Sequence, residues 1–150
     1  MSPNSKWSKL IRPLVVALLF GICAVSARAD APAGRYDTLT TTTLRDSVTG
    51  LTWRRDVSAT DLTQTAAVTY CTGLGGGWRL PTVFELASIV EEGRVSPSID
   101  VSAFPGTPNA SFWSNSSYAG AAGVGWAVGF FAGDVFTNVV SSSYRARCVR

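Results

Sequence analysis

The sequence predicts an α+β domain, and three observations carry that expectation. A hairpin pattern comes first, a block in which apolar residues recur every three or four positions comes next, and a run of alternating residues bounded by turn signals closes the chain. Because strand-like and helix-like stretches follow one another in blocks, the expected product is an antiparallel β-sheet with two helices, a long loop region and one disulfide.

Before the domain stands a segment of a different kind. Lys6, Lys9 and Arg12 precede an apolar run from Leu14 to Val25, and Ala27-Arg28-Ala29 follows it. That is the layout of a secretory signal peptide over 1–29, with small residues flanking a cut before Asp30. The apolar run is shorter than the roughly 20 residues a bilayer span needs. Acylation at Cys23 would want a small residue just before it and a Leu-like residue three back, whereas Phe20-Gly21-Ile22 stands there. Residues 30–35 read as a flexible leader, and 36–150 as the domain.

Tyr36 to Leu44 is Thr-rich and extended in character, Asp46-Ser47-Val48-Thr49-Gly50 is a turn cluster, and Leu51 to Arg55 alternates, so a hairpin is expected. Leu62, Ala66, Tyr70 and Leu74, with Ala67 and Cys71 on the adjoining row, mark a helix from about 61 to 74 that Gly75-Gly76-Gly77 ends. After Trp78-Arg79-Leu80-Pro81, Thr82 and Glu85 have the spacing of a capping box, opening a second helix with Val83, Leu86, Ala87 and Val90 buried. Glu91 to Ser111 has no period and several prolines, which predicts a long loop, functional or a mobile insertion. Phe112-Trp113, Trp126 to Phe131 and Val135 to Val139 predict a meander with turns at Tyr118 to Gly125 and Ala132-Gly133-Asp134. In a last strand Tyr144, Ala146 and Cys148 face inward, and Arg145, Arg147 and Val149 outward.

The residue inventory narrows function. The chain has no His, so an imidazole base, a Ser-His-Asp triad and His metal ligands are excluded. Its net charge of +3 belongs to the signal segment; past it, nine Arg stand against ten Asp and Glu, with no Lys. A broad positive field for nucleic acid or an anionic membrane is therefore absent. In an oxidising compartment Cys71 and Cys148 pair as a disulfide, closing most of the domain into one loop, for which the chain-entropy model gives about 4 kcal/mol. The rival is a reactive or metal-binding thiol pair, against which the lack of CxxC spacing and of nearby Lys argues.

Asp46 to Trp53, Tyr70-Cys71, Trp78-Arg79-Leu80-Pro81-Thr82 with Glu85-Leu86, Phe104-Pro105, Phe112-Trp113-Ser114 and the terminal Tyr144 to Arg150, in this order, closely resemble the DUF1566 family, also called the Lcl C-terminal domain. The resemblance spans nearly all of the domain. It implies a bacterial, exported, C-type-lectin-like fold, related to the formylglycine-generating-enzyme branch, with adjacent termini and a Cys71 to Cys148 bridge. The adhesin that names the group binds sulfated glycans. This chain has no collagen-like Gly-X-Y region, so trimerisation by that route is absent.

The candidate ligand contacts are Asn109, Asn115 and Tyr118 in loops and Arg145 and Arg147 on the last strand, the arginines because guanidinium forks clamp sulfate or carboxylate. Against this stands the reading of both as solvated arginines on an outer face. Trp78, Trp113 and Trp126 are sugar platforms or core, and burial is the usual fate of a Trp on a strand. Arg79 is expected to tie the helix junction to Glu85. A sugar-binding calcium loop is not expected, because Thr107-Pro108-Asn109 lacks an acid and Trp113-Ser114-Asn115 lacks an Asp. The sequons Asn109-Ala110-Ser111 and Asn115-Ser116-Ser117 read as chance in Ser-rich loops.

The leading expectation is an exported, non-enzymatic binding module of the periplasm, cell surface or extracellular space. It holds a glycan or surface macromolecule through its long loops, without a cofactor or metal and without nucleic acid as a partner. The alternatives are a self-associating structural envelope protein and a formylglycine-generating-like oxidoreductase, which would need both cysteines as thiols. Nothing in the sequence sets an oligomeric state.

Overall fold

The computed structural model describes residues 31–150, so the signal segment, its cut and the Cys23 alternative lie outside the described residues. Strands β1 (Tyr36–Thr38), β2 (Thr43–Asp46) and β3 (Thr52–Arg54) form an antiparallel sheet in chain order. The Thr-rich run that reads as one strand is thus broken in two. Thr40 is the cause: its Oγ1 accepts the amides of Thr42 and Thr43 at 3.2 and 3.0 Å, turning the chain before β2. The second turn is as expected, with Asp46 Oδ1 accepting the Val48 amide at 2.9 Å and Gly50 at φ 73°. Leu44 and Trp53 pair across β2 and β3, and both are fully buried.

Helix α1 (Gln64–Gly73) starts at the Thr63 cap, whose hydroxyl accepts the Ala66 amide. It begins later than its apolar period suggests because Leu62 is held in a β-bridge to Tyr144. Its buried residues are Ala67 and Cys71, one row over from the Leu62–Leu74 stripe, and Leu74 is exposed. Helix α2 is only five residues long, Val83–Ala87, and has the expected box: Glu85 Oε2 accepts the Thr82 amide at 2.8 Å while Thr82 Oγ1 accepts that of Glu85 at 3.3 Å.

Strands β4 (Ser111–Ser117), β5 (Val124–Gly129) and β6 (Asp134–Val139) form a second antiparallel sheet, in chain order. The described residues therefore form two three-stranded sheets where the sequence suggested one. The second sheet is a middle layer. Phe112 and Val128, paired in register, face a core shared with Leu86, Ile89, Phe104 and the first sheet; Trp113 and Ala127, the next pair, face α1 and the disulfide.

The segment from Glu91 to Ser111 is irregular as expected, but it is a core component. Ile99 and Phe104 are fully buried, and Ser98 donates its amide to the Phe130 carbonyl at 2.7 Å. The leader is docked too: the Ala31 amide reaches Glu91 Oε1, and Arg35 forks onto Asp46 and reaches the Ser88 carbonyl.

The last seven residues are a clasp between the sheets. Thr52 and Arg150 exchange backbone hydrogen bonds, as do Arg79 and Val149, while Trp113 and Ser111 bond Arg145. Cys71 and Cys148, 77 positions apart, are joined and buried.

Candidate functional site

The arginines decide what kind of ligand this surface can take. Arg147 is not on an outer face: it is fully buried, its guanidinium over the rings of Phe104 and Phe112 at 4.7 and 5.9 Å. Nη1 donates to the carbonyls of Arg54 and Arg55 at 2.9 and 2.8 Å, and Nη2 to Thr107 Oγ1 at 2.6 Å. Burial lowers its pKa from the ordinary arginine value, yet it stays cationic near neutral pH. The expected last strand is instead a run of isolated bridges, and from Ala146 to Val149 it is buried on both sides, so the alternation marks no outer face there. Val149, on the same face as Arg147, was the signal in the sequence.

Arg145 does point outward, and its charge is spent at once. It pairs with Asp61 at 2.7 Å and donates to the carbonyls of Ser58 and Ala59. Arg54 is forked on Asp56, Arg35 on Asp46, Arg79 on Glu85, and Arg94 pairs with Glu91. Arg55 binds the carbonyls of Ala103 and Ser102. Arg150 lies 4.6 Å over the Trp78 ring, which is 8% exposed and so is roofed by a cation and closed to a sugar. Among the described residues only the Arg45 guanidinium, exposed on β2, has neither an ion pair nor a hydrogen bond, and one free guanidinium is no cluster to clamp a sulfate.

The Arg79–Glu85 pair is the expected structural tie, with bonds of 2.8 and 2.6 Å. Arg79, with the Thr82 amide, holds the Glu85 carboxyl at about 2, well below its ordinary 4.5. This fixes the entry to α2 and so the position of the residue after its cap but one, Phe84, which is 86% exposed.

Phe84 borders a strongly apolar concavity. Val83, Phe84 and Ala87 from α2, Ser116 and Ser117 from β4, Trp126 from β5 and Val135 from β6 line a groove of about 420 Å³. Its cause is the length of α2. Five residues cover β4 and β5, and the helix stops before β6, leaving Val135 and Val139 exposed. Trp126 is half-buried rather than core, packed edge-on against Tyr118 with centroids 5.6 Å apart. The groove has no ionisable lining residue, and the Ser116 hydroxyl is already taken by the Val83 amide at 3.0 Å.

Of the sequence-predicted contacts, then, Tyr118 joins the groove through Trp126. Asn109 and Asn115 are exposed without being drawn into it, and Arg145 and Arg147 belong to the clasp. Phe84 and Val135 were missed. A Phe off the apolar stripe of a short helix was the available clue, since a large ring there has no core to fill. No group of three or more Cys, Asp or Glu side chains converges as a metal site among the described residues.

With this geometry in view, comparison with known families assigns the chain: it belongs to the Lcl C-terminal domain family, whose model matches residues 42–150. No curated protein matches it.

Proposed function

We propose that this member of the Lcl C-terminal domain family is an exported, non-catalytic binding module that holds an uncharged ligand in the α2–β6 groove. The groove itself carries the reading: an open, apolar, ion-free concavity built from aromatic and aliphatic side chains on rigid elements. Its best occupant is an apolar stretch of an envelope or cell-surface protein. A sugar would lose water from many hydroxyls there and regain few hydrogen bonds.

Export is supported by the signal layout and by the buried Cys71–Cys148 disulfide. A C-type-lectin-like fold is supported by the clasp that joins β3 to the C-terminal residues. The oxidoreductase alternative needs two thiols, and both domain cysteines are in the disulfide.

The test is a titration of the folded protein with apolar peptides, neutral oligosaccharides and a sulfated polysaccharide, read by tryptophan fluorescence in wild type and Trp126→Phe. Binding of apolar peptides, insensitive to salt and altered by the substitution, is the expected result. Binding of the sulfated polymer alone, weakening steeply with salt, would overturn the reading.

A further inference from the structure

The second sheet ends in an open edge. Among the described residues β6 pairs with β5 and with no other strand. The phase of that ladder follows from two hydrogen bonds. The Val140 amide reaches the Gly123 carbonyl, so residues 134, 136 and 138 turn their backbone toward β5; the Val139 amide is outside the ladder and is met by the Asn138 side chain. Residues 135, 137 and 139 therefore turn outward. At Val139 both groups are satisfied within the chain, because its carbonyl accepts the Ser142 amide at 2.9 Å. At Val135 and Thr137 neither the amide nor the carbonyl has a partner among the described residues.

We propose that this edge pairs with the same edge of a second copy, antiparallel, about a two-fold axis at Phe136. In that register Val135 of each copy exchanges both backbone hydrogen bonds with Thr137 of the other. All four free groups on each strand are used, and none is left over. An isologous contact needs such self-complementarity. The usual defences of an exposed edge are missing: β6 has no Pro and no Lys or Arg, and its acid, Asp134, stands at the first position. The side chains that flank the join, Val135 at 44% and Val139 at 50% exposed, are apolar and gain cover from it. The dimer sets two grooves side by side, so that two ligands can be held at once. The inference does not rest on the groove's ligand.

The experiment is sedimentation equilibrium of the folded chain over a concentration series, with amide exchange at Val135 and Thr137. Dimer formation with concentration, and slowing of these two amides in step with it, is expected. Thr137→Pro removes an amide the monomer does not use, which an edge strand tolerates, and should weaken the dimer at least about tenfold. Val135→Lys, which changes only an exposed side chain, should weaken it likewise by placing two like charges at the join. Phe84→Glu, in the groove but off the edge, should leave it unchanged. A monomer at all concentrations with both amides exchanging freely, or a dimer indifferent to both edge variants, would overturn the proposal.

Discussion

The two faces of the β4–β6 sheet are built from neighbouring residues and have opposite fates. On one, Trp113, Ala127 and Phe136 lie under α1, which at ten residues is twice the length of α2 and is bolted to the C-terminal clasp by the disulfide. Trp113 is fully buried and its indole N–H donates to the carbonyls of Leu62 and Ser142. On the other face Phe112 and Val128 are buried, but Trp126 and Val135 run on past the end of α2 into the groove. The same strands thus supply a sealed structural face and a partly open one, and helix length makes the difference. Burial stabilises the first face, while the second retains apolar surface that a partner can cover.

The largest expected effect breaks the sealed face. Replacing Cys71 and Cys148 by Ser should lower unfolding free energy by about 4 kcal/mol, because the unfolded chain regains the freedom of a long loop; denaturant titration measures it. Arg147→Met should cost about 3 kcal/mol, since the carbonyls of Arg54 and Arg55 and the Thr107 hydroxyl lose their donor inside the protein. The prediction is notable for a residue that reads as a surface cation, and near-neutral stability would return Arg147 to the outer face.

Glu85→Gln addresses the hinge between the faces and should cost about 1 kcal/mol, a modest figure because the pair with Arg79 is partly exposed. Its pH dependence gives the sign. Folding depresses the Glu85 pKa, so its contribution is complete above its ordinary 4.5 and is lost as pH falls toward about 2. Stability curves of wild type and Glu85→Gln should therefore converge across that window and run parallel above it. At the open face, Phe84→Ser should change stability by no more than about 0.5 kcal/mol, because the ring is mostly solvated already.

Much of this architecture is legible in the sequence. The capping box, the Gly50 turn, the disulfide and the meander depend on local spacing or cysteine number, and each appears where the residues place it. What was not legible depends on what lies opposite. Thr40 breaks the first strand through side-chain bonds that composition alone does not reveal. The clasp looks like an outer strand because Arg145 and Arg147 alternate with apolar residues, yet Phe104 and Phe112 come from distant positions to cover Arg147. The groove was hidden for the same reason: Trp126 and Val135 have the pattern of core residues, and only the early end of α2 leaves them open.

The claim that recognition belongs to the open, uncharged face is tested most directly by one substitution under two conditions. The binding of the tightest apolar peptide to wild type and Phe84→Glu is measured at low and at high salt. The account predicts an affinity that salt does not weaken and that Phe84→Glu reduces at least about tenfold, since a carboxylate would be desolvated in the groove. An affinity that falls steeply with salt and ignores Phe84→Glu would contradict it.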